Sequence, residues 1–209
     1  MERDVTMKKL MILLTILLFT SASALYARST RESIAENVIR LHILANSDSP
    51  ADQELKIKIR DRLLEKYRKE LSSNEDIEKT RALIYENLGN IKKTAEAAAR
   101  EYGFDYTVNV YLAKDFFPTK KYADVTLPAG KYEALRVEIG KADGKNWWCV
   151  MFPPLCYADT DDSEAAAKSR ERLEQLLSGD CYCLITKNTP DVKVKLKIIE
   201  LWSTVKEKL

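Results

Sequence analysis

The run Leu10–Phe19 (LMILLTILLF), broken only by Thr15, limits what the start of this chain can become. A helix that is apolar all round has no face to turn to water, so it must enter a membrane or be buried. Arg3, Lys8 and Lys9 precede the run as a basic region. Thr20-Ser21-Ala22-Ser23-Ala24 follows it, with Ala22 and Ala24 where a signal peptidase needs small residues. Crossing a bilayer core takes roughly 20 apolar residues, about twice this run. The expectation is a secretory signal peptide over residues 1–24, with an uncleaved signal anchor or a buried helix as alternatives. A polar lead-in over 25–36, a short helix or tether, then precedes one globular domain over 37–209.

That domain has enough apolar residues for a core, since 45% of the 209 residues are hydrophobic. The formal net charge of +2 lacks the basic excess that phosphate neutralisation demands, which argues against nucleic acid as a partner. With 10 Tyr, 5 Phe and 3 Trp the chain also has the buriable surface that disordered sequences lack.

Val38–Leu44 (VIRLHIL) reads as a strand. It ends at Ala45-Asn46-Ser47-Asp48-Ser49-Pro50, where Ser49 suits an N-cap, Pro50 a first helical position and Asp52 the first turn. Leu55, Ile59, Leu63, Tyr67 and Leu71 then mark a buried helical stripe. A second helix is expected from Ser73, with Asp76 completing an acidic capping box. A break or kink is expected at Gly89-Asn90, then a helical stretch over 91–101 closed by Gly103.

From Tyr106 the period falls to two, with Tyr106, Val108, Val110 and Leu112 on one strand face. Tyr122–Leu127 reads as one short strand stopped at Pro128, and Leu135, Val137 and Ile139 line another. Gly140–Lys145 should turn the chain back. Trp147–Phe152 is apolar on both faces and reads as a central strand. Asp159, Asp161 and Asp162 lead a helix that runs through about Leu177, with helix entry favoured over a calcium loop. Tyr182–Thr186 reads as a short strand or loop. Residues 192–203 suit either a lysine-faced strand or a helix. The fold class expected is α+β: a largely antiparallel sheet of about five to six strands packed against several helices.

Three ungapped blocks carry a family resemblance. They are Arg40–Ser49 with Asp52, Gln53, Leu55 and Lys56 behind it, Asp124–Gly140, and Asn146–Cys156. Together they resemble the stage II sporulation protein R (SpoIIR) family over roughly residues 38–200. The resemblance implies a protein of endospore formation, made in the forespore and secreted into the space between forespore and mother-cell membranes. It implies a partner there, the extracytoplasmic part of a SpoIIGA-like mother-cell membrane aspartic protease, which processes the sigma-E precursor once activated. No enzyme activity, cofactor or metal is implied.

The residues alone offer weaker chemistry. His42 could act as a base with Asp48, Asp52, Asp124 or Glu133 in a secreted hydrolase, but it sits in an apolar strand where a structural role is the simpler reading. No G-x-S-x-G elbow or glycine-rich phosphate loop exists. Cys149, Cys156, Cys181 and Cys183 are disulfide candidates with three pairings open, or buried thiols. Cys149 lies within an apolar run, which favours burial over a nucleophilic role. Lys193, Lys195 and Lys197 could approach anionic lipid, as in a membrane-surface adaptor, or guard an edge strand. The contact candidates are the turn with His42, Asn46, Asp48, Asp52 and Gln53, and the segment with Trp147, Trp148, Pro153 and Pro154.

Overall fold

The computed structural model describes residues 2–73, 76–157 and 163–186. The leader is one unbroken helix, α1 (Glu2–Glu36). No Gly or Pro interrupts these residues, so nothing stops the helix where the lead-in was expected to begin. Arg28 and Glu32 add an ion pair one turn apart at 2.8 Å. From Met7 to Tyr26 the large apolar side chains of α1 are exposed. Contact with the domain begins only at Thr30 and Ile34, which are buried.

The domain is built on a four-stranded sheet of β1 (Ile39–Leu44), β2 (Val108–Phe117), β5 (Gly130–Ile139) and β6 (Asn146–Phe152), in the order β2-β5-β1-β6. β1 runs parallel to β5 and antiparallel to β6, and β2 runs antiparallel to β5, so the sheet is mixed. All six residues of β1 are buried. Two long helices, α2 (Pro50–Ser73) and α3 (Ile77–Glu101), lie between β1 and β2 in the chain. They carry the chain across to β2, two strands away, and the reversal from β2 through β3 and β4 then brings β5 back parallel to β1.

α2 starts as the sequence indicates, with the Asp52 amide donating to Ser49 Oγ at 3.2 Å. The stripe of Leu55, Ile59, Leu63, Tyr67 and Leu71 is buried throughout. The beginning of α3 differs from expectation. Asp76 is itself the N-cap, accepting from the Glu78 amide at 2.7 Å, and the helix starts at Ile77. Nor does the helix break at Gly89. Ile84, Ile91, Ala95, Ala98 and Ala99 are buried on either side of it, and burial of that stripe outweighs one glycine. Gly103, at φ +82°, ends the helix, with the Phe104 amide returning to the Ala99 carbonyl at 2.9 Å.

Three further expectations are corrected. The stretch 122–127 is not one strand. It is the tip of a hairpin between β3 (Lys120–Tyr122) and β4 (Val125–Leu127), turning at Ala123, which takes φ +49°. β6 is not central but lies at the edge of the described sheet. Its two apolar faces are nonetheless covered. Leu173 and Leu177 share a cluster with Val150 and Leu155, and Leu176 reaches the cluster of Met151 and Phe152, so α4 (Ser163–Leu176) straddles the strand. Finally, Tyr182–Thr186 belongs to a helix, α5 (Gly179–Thr186), because Cys181 and Ile185, one turn apart, both bury. The residues 192–203 and Asp159, Asp161 and Asp162 lie outside the described residues.

The sheet separates two cores. One fills the space between the sheet and α2–α3, from Ile39, Leu41 and Ile43 to Ala95 and Ala99. The other holds Ile34 and Val38, Phe117, Tyr122, Val125, Leu127 and Tyr132, with Leu173, Leu177 and Ile185. This second core covers only one end of its sheet face. The other end is polar, and there the candidate site lies.

Candidate partner-binding site

Strand alternation puts Arg40 and His42 on the second face, with Ile39, Leu41 and Ile43 on the first. Register then decides His42's neighbours: Arg136 on β5 and Trp148 on β6 pair with it directly. Asp115 on β2 lies one strand further away. On β5 its partner is Tyr132 and His42's is Arg136, so the small Ala134 lies between them on the same face and leaves room for a contact. His42 Nδ1 is 2.6 Å from Asp115 Oδ2, and Nε2 is 2.7 Å from Asn146 Oδ1.

The chain of bonds continues outward. Arg136 donates to Asp115 at 2.6 Å and to Glu138 at 2.8 Å, and the Tyr111 hydroxyl donates to Glu138 at 2.8 Å. Burial works to raise the Asp115 carboxyl. The hydrogen bond and charge of His42, the Phe116 amide and Arg136 outweigh it and hold Asp115 below the usual carboxylate range. His42 is 5% exposed, and both its ring nitrogens are occupied. A general base needs a nitrogen free for the proton it takes. The geometry instead fixes the ring as a tie between three strands. The rim above it stays accessible: Tyr111 and Asn146 are exposed, and Trp148, Arg136 and Glu138 are half-buried.

Arg40, next to His42 on the same face, is fully buried. Its guanidinium lies 4.2 Å from the Phe117 ring centre and 4.8 Å from that of Tyr132, and it donates to the Tyr122 hydroxyl at 2.5 Å. Its Nε and Nη1 make no hydrogen bond among the described residues. Burial lowers the pKa of Arg40 and pushes the Tyr132 hydroxyl up to about 12.

The polar turn after β1 is consumed in holding the domain together. Asn46 Nδ2 donates to Asp52 at 2.9 Å, and its Oδ1 accepts from the Lys141 amide at 3.0 Å. Asp48 accepts from the Lys145 amide at 2.7 Å. Gln53 donates to the Ser47 carbonyl at 2.9 Å and accepts from the buried Lys56 ammonium at 2.7 Å. Lys56 also reaches the Lys145 carbonyl at 2.9 Å. Burial tends to raise the Asp52 carboxyl, but hydrogen bonds from Ser47 and Asn46 hold it below its ordinary value. These residues therefore clasp the β5–β6 turn to the start of α2.

The structure thus separates the residues singled out in the sequence. His42 and Trp148 meet, with ring centres 6.1 Å apart. Asn46, Asp48, Asp52 and Gln53 form the clasp. Trp147 faces the opposite side, under the Arg60 guanidinium at 4.2 Å. Pro153 is buried, and the Pro154 carbonyl accepts from Ser169 at 3.0 Å, which seats α4. None of the acids weighed as partners for His42 reaches it: Asp48 and Asp52 belong to the clasp, Glu133 binds Arg81 at 2.8 Å and Asp124 binds Arg170 at 3.1 Å. Cys149 and Cys156 form a disulfide with Cα atoms 5.4 Å apart, while Cys181 (buried) and Cys183 (exposed) are free. The site residues missed are Asp115, Arg136, Glu138, Tyr111 and Asn146. Their alternation was legible, but their convergence needed the pairing of strands far apart in sequence.

Fold and site together define an α+β domain carried on an apolar N-terminal helix, with a polar centre closed upon itself beneath an exposed rim. Residues 35–162 match the family described as Stage II sporulation protein R (spore_II_R). The chain is also 40% identical over 139 residues to the Stage II sporulation protein R of Bacillus subtilis (strain 168), covering 66% of this chain and 62% of that protein. No solved structure matches. The chain belongs to the stage II sporulation protein R family.

Proposed function

We propose that this chain is an exported signalling protein of endospore formation. It activates a SpoIIGA-like mother-cell membrane protease so that the sigma-E precursor is processed, and it makes no covalent bond itself. The observation that carries this reading is the family match, which spans the β1 clasp, the hairpin and the β6 segment. The apolar α1, compatible with a signal sequence or a membrane anchor, supports export. The saturated His42 centre favours a binding role over a hydrolytic one, since neither ring nitrogen is open to a substrate.

The contact lies on the rim of Tyr111, Arg136, Glu138, Asn146 and Trp148, an accessible aromatic and charged surface on rigid strands. The domain acts by binding one state of the protease better and so raising its population. The test is to co-produce the protease, its precursor substrate and this chain in a non-sporulating bacterium. Processing should require the chain with α1 intact and should fail when residues 1–24 are removed. Normal processing by a cytoplasmically retained domain would sink the reading, as would substrate hydrolysis by the purified chain alone.

A further inference from the structure

The surface around the footing of α1 has a use that signalling to a protease does not require. α1 is uncharged from Leu10 to Ala27, a stretch of about 27 Å at 1.5 Å per residue. That is within reach of a bilayer core although the strictly apolar run is shorter. Lys8 and Lys9 flank one end, which orients the domain to the opposite side of the membrane. Burial against the domain begins at Thr30, about one turn beyond Ala27, and is complete at Ile34, about two turns beyond it. No linker separates the two parts, so a domain on this helix sits at the headgroups.

Ile34 shares its core with Phe117 and Tyr122. These two belong to a β-ribbon in which β2 and β3 run antiparallel to β4 and β5. Its stretch next to that core carries Lys114, Phe116, Lys120, Lys121 and Lys131, all exposed, and Phe116 is 62% exposed. The acids of the same stretch are already paired: Asp115 with His42 and Arg136, Asp124 with Arg170, and Glu133 with Arg81. The four lysines have no ion-pair partner among the described residues. The ribbon therefore presents unneutralised positive charge, with Lys131 paired directly across from the exposed Phe116, while its other face packs on the footing of a membrane-length helix.

We propose that this lysine and phenylalanine ribbon seats the domain on the anionic lipid surface of the membrane that α1 enters. The lysines meet lipid phosphates and Phe116 enters the interface. Such a seat holds the rim of Tyr111 and Trp148 at a fixed height above the bilayer, whichever protein the domain signals to.

The test uses the full chain reconstituted with its domain outward in vesicles of phosphatidylcholine, with or without phosphatidylglycerol. A membrane-impermeant amine reagent labels the exposed lysines, which are read by mass spectrometry. Anionic vesicles should lower labelling of Lys114, Lys120, Lys121 and Lys131 by about five-fold, and salt should restore it. Lys93 on α3 serves as the internal control and should not change. The triple variant K120E/K121E/K131E should lose the protection at Lys114 while α1 keeps the chain in the vesicle. Equal labelling on neutral and anionic vesicles would overturn the proposal, as would protection that survives charge reversal.

Discussion

His42 on β1 stands between Asp115 on β2 and Asn146 at the start of β6, with contacts of 2.6 and 2.7 Å to its two ring nitrogens. One imidazole therefore ties three of the four strands of the main sheet, spanning a fourth. His42→Ala removes a buried ring and leaves one bond of a part-buried carboxylate unmet. It should lower unfolding free energy by about 2 kcal/mol in a denaturant titration.

The same tie gives a pH dependence. Asp115 is held below its ordinary pKa, so its contribution is fully present above its unfolded value of about 3.9 and is lost as pH falls through the lower folded value. Thermal melts across pH 2–6 should show wild type losing stability below about pH 4, and Asp115→Asn should flatten that part of the curve.

Arg40 is an uncompensated charge in an aromatic cage, a costly arrangement that an apolar side chain of similar length would avoid. Arg40→Met should be at least as stable as wild type, because the Tyr122 hydroxyl keeps its contact to the Trp148 carbonyl at 3.4 Å. Arg40→Ala should lose about 2–3 kcal/mol through the cavity it leaves. Chemical denaturation of the two variants separates charge from volume.

Two glycines should respond in opposite directions to alanine. A Cβ on Gly144 would lie 2.3 Å from the Ser47 carbonyl oxygen and 2.6 Å from its carbon, both backbone atoms of the clasp. Gly144→Ala should therefore cost about 2 kcal/mol or more. A Cβ on Gly89 meets nothing within 4 Å in the middle of α3, so Gly89→Ala should add about 0.5–1 kcal/mol. Melting temperatures of the pair decide both.

The cysteines predict a thiol count. With the Cys149–Cys156 bridge intact, a water-soluble thiol reagent should modify Cys183 quickly and the buried Cys181 only after unfolding. Cys156→Ser should cost about 2 kcal/mol, as expected for the short loop it opens.

Sequence by itself determined the elements whose signals are local. The cap at Ser49, the stripe from Leu55 to Leu71, the stop at Gly103 and the alternation along β5 depend on neighbours a few residues away, and each is found where the pattern places it. Local signals failed where burial decided otherwise. Gly89 did not break α3, α5 formed because Cys181 and Ile185 share a buried face, and β6 reached the edge because α4 was available to cover it. The site belongs wholly to tertiary structure. That His42 meets Asp115 and Asn146 rather than Asp48 or Asp52 follows from the β2-β5-β1-β6 strand order, and from the small Ala134 between. Strand order is fixed by which faces can be buried together, a global condition that a window of neighbouring residues does not contain.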